Sequence, residues 1–109
     1  MITDKQIEIM LDEEIKSAAE KHGDFNSSHE AYAVILEEVE ELTQQLDYMK
    51  EILAQLWEDI KRDTFKKHGY NRRDYSYIEI FIDNATDSIR ESIQVGAMIK
   101  KFEMFLLKK

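Results

Sequence analysis

Apolar residues first recur at helical spacing over Ile7, Ile9, Met10, Leu11, Ile15, Ala18 and Ala19. Thr3 or Asp4 is suited to cap a helix that would run to about His22. Gly23-Asp24-Phe25-Asn26 reads as a loop, with Gly23 the helix stop. Ser27-Ser28-His29-Glu30 then forms a capping-box pattern, serine at the cap and glutamate three residues on. No breaker follows until Lys67-His68-Gly69. One helix of about 40 residues, bent near Thr43 to Asp47, is expected over two helices with an unmarked kink. Gly69 to Tyr75 is a loop, and Asp74 or Ser76 caps a last helix reaching nearly to the C-terminus. Tyr75 to Phe81 also alternates polar and apolar, so a short strand is the competing expectation there.

The fold class expected is therefore all-α. It is a bundle of three to four helices with one long central helix, completed by oligomerisation, in a single domain over residues 1–109. Composition strengthens this picture. Proline is absent and only three glycines occur in 109 residues, so little forces a helix to break. The last helix is apolar nearly all round in its C-terminal half, as in a helix buried or packed on a second subunit.

Charge narrows the partners. With 15 basic and 23 acidic side chains the net charge is −8, which repels phosphate backbones and anionic membranes at long range. No nucleic-acid or membrane partner is expected. Cysteine is absent, which removes thiolate nucleophiles and fits a reducing cytoplasm. The N-terminus is polar, so no signal peptide is expected. The longest apolar run, Ala31 to Leu36, falls far short of the roughly 20 residues a spanning helix needs.

The candidate chemistry lies on the second helix, in Glu37-Glu38-Val39-Glu40-Glu41. Placed at 100° per residue, Ala31, Val34, Ile35, Leu42, Leu46, Met49, Leu53, Leu56 and Ile60 form one apolar stripe. Glu38 falls inside it, Glu41 and Glu37 border it, and Glu40 points away. Glu38 and Glu41, one turn apart, can converge. Two such carboxylates repel each other and pay for burial, and a divalent cation removes both penalties. Hard oxygen ligands suit Mg²⁺, with Mn²⁺ an acceptable substitute. The plain alternative is a solvated acidic face.

On the last helix Asp87, Glu91, Gln94 and Met98 share one narrow face. Inward oxygen ligands on two helices are how metal sites are built in helical bundles. Such a site holds Mg²⁺ and leaves positions for water and phosphate oxygens. The competing reading for Glu91 and Gln94 is interhelical hydrogen bonding without a metal. His29, in the first turn of the second helix, can orient a phosphate or a water. Lys66, Lys67, Arg72 and Arg73, the only dense basic group, can clamp phosphates. Each has a plainer reading, as a packing histidine or a solvated loop. Trp57, Phe65, Tyr70, Tyr75 and Tyr77 can stack on a base, with packing the expectation for Trp57 and Phe65.

Glu37-Glu38-Val39-Glu40-Glu41-Leu42 resembles the EExxEL helix of MazG-like, all-alpha nucleoside triphosphate pyrophosphohydrolases. The lead-in Ser28-His29-Glu30-Ala31-Tyr32-Ala33-Val34-Ile35-Leu36 is similar to that of small phage and bacterial members. Glu91-Ser92-Ile93-Gln94-Val95-Gly96-Ala97-Met98 occupies the place of the superfamily's second motif, ExxD before a small-residue helix. The spacing between the two is longer than usual by most of Gln44 to Tyr70. The resemblance implies Glu38, Glu41 and Glu91 as Mg²⁺ ligands, with Glu38 and Glu41 at the centre of catalysis. It implies a homodimer or homotetramer that splits a nucleoside triphosphate into monophosphate and pyrophosphate. Gln94 stands where the family usually has aspartate, so the site loses a negative charge, and weaker metal binding and catalysis are implied. Asp87, one turn before Glu91, is placed to supply the missing carboxylate. The alternative function is a non-catalytic oligomeric helical module that has lost the metal site.

Overall fold

A computed structural model describes residues 1–108, and among them every regular element is an α-helix. In chain order these are α1 (Asp4–His22), α2 (Ser28–Lys61), α3 (Thr64–His68) and α4 (Tyr77–Leu107). By their contacts the residues form two compact units. One is Met1–Leu42 together with the chain from Arg90 onward, the other Thr43–Ile89. Each of α2 and α4 contributes to both. Among the described residues no helix is long and apolar enough to cross a membrane.

In the first unit, α1 starts where Thr3 Oγ1 accepts from Gln6 N (3.1 Å) and Gln6 Oε1 accepts from Thr3 N (2.7 Å), a complete capping box. It stops at Gly23, which takes φ of 71° and donates its N–H to Ala19 O. A side chain at that φ would be strained, so glycine ends the helix cheaply. The loop beyond drives Phe25 into the core beside Ala31, Ala97 and Met98, with Leu11, Ile15, Val34, Ile35 and Phe102 packed around them. Ser27 caps α2 as expected, its Oγ accepting from Glu30 N (3.1 Å). Glu30 reaches past the cap: its carboxylate accepts from both nitrogens of Asn26. Gly96 on α4 faces α1 so closely that a Cβ there would lie 2.7 Å from Leu11 Cδ2.

In the second unit the inward line of α2 runs Gln45, Met49, Ile52, Leu56 and Asp59, at intervals of three and four. Ile52 and Asp59 are buried, whereas Leu53 and Ile60, expected in the apolar stripe, are exposed. Buried Asp59 is satisfied by the Tyr77 hydroxyl, which donates to its Oδ2. Burial and this carboxylate push the Tyr77 phenol well above its usual range. Buried Asn84 donates from Nδ2 to the Gln45 backbone carbonyl (3.1 Å), and its own backbone carbonyl accepts from Ser88 Oγ.

The second helix does not run to Lys67. It stops at Lys61, because Asp63 takes a left-handed conformation (φ 58°, ψ 33°) and its N–H bonds back to Ile60 O. Aspartate is one of the few residues other than glycine that enters this region readily. The turn frees α3 to carry Phe65 against Tyr75 (centroids 5.0 Å apart) and Tyr70 (6.3 Å). Trp57, expected to pack, is 56% exposed, with Lys61 Nζ over its ring. The alternation at Tyr75–Phe81 does not make a strand. Helix α4 begins at Tyr77, and Ser76 O accepts from Ile80 N at its first turn.

Candidate metal centre

Helix α2 supplies Glu38 and Glu41, one turn apart, and α4 supplies Glu91, all within the first unit. One carboxylate oxygen from each lies within 4.8 Å of the others, and all three side chains are half-buried. Glu40 and Glu37 are exposed. The helical spacing explains this split, since only positions 38 and 41 continue the inward line from Ala31 and Val34 towards Gln45.

Three carboxylates this close cannot all be charged without cost. Burial, then the charges of Glu41 and Glu91, a hydrogen bond with Glu91 and the nearby Glu37 push Glu38 up to about 7. Glu41 is raised as well, by burial, the charges of Glu91 and Glu37, and a hydrogen bond with Glu91. Gln94 completes the group. Its amide orientation is assigned from the surrounding hydrogen bonds, and in that orientation the nitrogen donates to Glu38 Oε2 (2.9 Å) and Glu91 Oε2 (3.3 Å).

The donor set fits a hard divalent cation. Oxygens on opposite sides of a Mg²⁺ are about 4.2 Å apart, so a small inward rotation of these side chains suffices. Glu38, Glu41 and Glu91 would hold the ion. Gln94 enters the group as a donor to carboxylates, and its carbonyl would serve a cation only after the amide turned over. Asp87 is exposed and outside the converging trio.

His29 is exposed on the first turn of α2. Lys66, Arg72 and Arg73 are exposed and belong to the second unit. Arg72 pairs with Glu79 (2.9 Å) and Arg73 lies 3.6 Å from Asp74.

A cleft of about 630 Å³ within the first unit meets the carboxylate trio at Glu38. Glu37, Glu38 and Gln94 line it together with Lys21, Phe25 and Lys101. Sequence reasoning passed over Lys101, although a signal existed. Carrying the face of Glu91, Gln94 and Met98 forward by three residues reaches Lys101. Comparison with protein-family models, curated proteins and solved structures finds no match for the chain.

Proposed function

We propose that this chain is a Mg²⁺-dependent nucleoside triphosphate pyrophosphohydrolase of the MazG-like kind, releasing monophosphate and pyrophosphate. The observation that carries the reading is the convergence of Glu38, Glu41 and Glu91 from two helices beside a cleft of about 630 Å³. That volume is in the range of small-molecule sites. The resemblance of residues 37–42 and, with Gln94 in place of aspartate, of residues 91–98 to the two acidic motifs of that superfamily supports it further. When bound, Mg²⁺ would neutralise phosphate charge and acidify a water molecule. The chain's own part is to hold three oxygens in place through helix packing, with Gln94 orienting Glu38 and Glu91. Such an enzyme would act in the cytoplasm, where its substrates are. Exposed Leu53, Trp57, Ile60, Ile82 and Ile89 support assembly as a homodimer or homotetramer.

The test is a screen of nucleoside and deoxynucleoside triphosphates with Mg²⁺ or Mn²⁺, read as pyrophosphate. Metal-dependent release that Glu38→Gln abolishes is the expected result. Release unchanged in that variant would sink the site assignment.

One observation favours a second reading, a helical module without catalysis. Gln94 already satisfies Glu38 and Glu91 through its amide, so the cluster has internal partners in the absence of a cation. That reading expects a melting temperature indifferent to Mg²⁺ and Mn²⁺, because a ligand binding only the native state must raise it.

A further inference from the structure

The cleft beside the carboxylates contains a cation that the metal centre does not use. Lys101 on α4 is only 6% exposed and lines the cleft together with Lys21, Phe25, Glu38 and Gln94. Its ammonium lies 4.6 Å from the centroid of the Phe25 ring. Among the described residues it forms no salt bridge. Neighbouring Lys100, by contrast, pairs with Asp12, and Lys108 with Asp24.

A buried lysine is ordinarily paired, because an ammonium taken out of water loses strong hydration. The Phe25 ring returns part of that, on one side only. An ammonium has three N–H donors, and a ring face cannot accept from all of them. The remaining donors have the cleft to serve. The position is also informative. Lys101 follows Gln94 by seven residues on the same helix face, about 10 Å along the axis. Anion binding so near an acidic cluster, in a chain of net charge −8, requires local positive charge with little water around it. Lys101 provides it, and Lys21 on the last turn of α1 adds a second positive charge to the cleft lining. Glu14, Asp24 and Glu30 also line the cleft, so the positive charge available to an anion is local to Lys101 and Lys21.

We propose that Lys101 is a binding residue for a phosphate group of the substrate. It would hold the end of a phosphorylated molecule whose other anionic end is at Glu38, Glu41 and Glu91. The inference rests on the pyrophosphohydrolase reading for the second of these ends but not for the first. The substrate class it names is a compound with at least two anionic centres, such as a nucleoside di- or triphosphate. A neutral or singly charged nucleoside derivative would not engage both.

The test uses the full chain, with inorganic tripolyphosphate as probe, titrated calorimetrically with and without Mn²⁺. Wild type is compared with Lys101→Met, Lys101→Arg and the exposed control Lys50→Met. Lys101→Met is expected to weaken tripolyphosphate binding at least tenfold, while Lys101→Arg and Lys50→Met stay within about threefold of wild type. The thermal shift with Mn²⁺ alone should persist in Lys101→Met. Should that variant not fold, Lys101→Gln replaces it. Amide chemical shifts of wild type on titration give a reading free of substitutions, with the largest changes expected at residues 21–25 and 98–102. Tripolyphosphate binding unaffected by loss of Lys101, no binding to wild type, or shifts centred elsewhere would each overturn the proposal. Absence of any Mn²⁺ effect on wild type, with Lys101-dependent anion binding retained, would remove the pyrophosphohydrolase reading and leave this inference standing.

Discussion

Replacing Glu38 by glutamine should make the metal-free protein more stable at neutral pH, even as it removes the proposed function. Glu38 titrates near 7 in the native state against 4.5 for an unperturbed glutamate. Between those values the native state keeps a proton that the unfolded chain has released, so stability falls as pH rises through the window. Below 4.5 the penalty is absent, and above about 7 it is complete. A displacement of this size corresponds to about 3 kcal/mol, and solvent access to a half-buried side chain reduces it to about 1.5 kcal/mol. Glu38→Gln is isosteric, still accepts from Gln94, and carries no charge to be opposed. With EDTA present it should melt about 5 °C above wild type at pH 8 and match it at pH 4.5. Mn²⁺ should then raise the melting temperature of wild type and leave the variant unmoved. Differential scanning calorimetry at both pH values, with and without Mn²⁺, decides the matter. A variant less stable than wild type at pH 8, or an equal pH dependence in the two, would refute the argument that like-charge crowding strains this cluster.

Other expectations concern single contacts. Gln94→Asp removes two N–H donors from Glu38 and Glu91 and adds a fourth carboxylate, so metal-free melting should drop while Mn²⁺ affinity by calorimetry rises about tenfold. Tyr77→Phe leaves buried Asp59 without its hydroxyl donor and should cost about 1.5–3 kcal/mol in urea unfolding. Asp63→Gly releases a left-handed residue and should stabilise by roughly 0.5 kcal/mol, whereas Asp63→Val should destabilise by about 1–2 kcal/mol in the same assay.

Periodicity carried most of the fold. The capping residues Thr3 and Ser27, the stop at Gly23 and the inward aim of Glu38 all follow from local rules that tertiary contacts leave intact. Reading failed where a residue without a strong signal decides the chain path. Asp63 is one of many aspartates, and nothing in its neighbours announces a left-handed turn. The same turn redirected Phe65 towards Tyr70 and Tyr75. In the second half of α2, apolarity was a poor guide to burial. Asp59 lies on the inward line because the Tyr77 hydroxyl gives its carboxylate a hydrogen bond, whereas Leu53 and Trp57 are exposed. The acidic trio was legible because it obeys helical spacing. Lys101 was not singled out, since a lysine on an apolar helix reads as surface until Phe25, distant in sequence and part of no shared pattern, is seen beside its ammonium.

Gly96 sets how closely two helices that line the cleft can pack. Helix α1 supplies Glu14, Ser17, Ala18 and Lys21 to the lining, and its Leu11 side chain lies over the bare backbone of Gly96 on α4. A single added methyl group there must displace the tip of Leu11 or the helix behind it. The spacing of α1 and α4 beside the cleft thus depends on one missing carbon atom lying two residues from Gln94. Enlarging position 96 would press α1 away from α4 and so change the cleft without altering any residue that lines it.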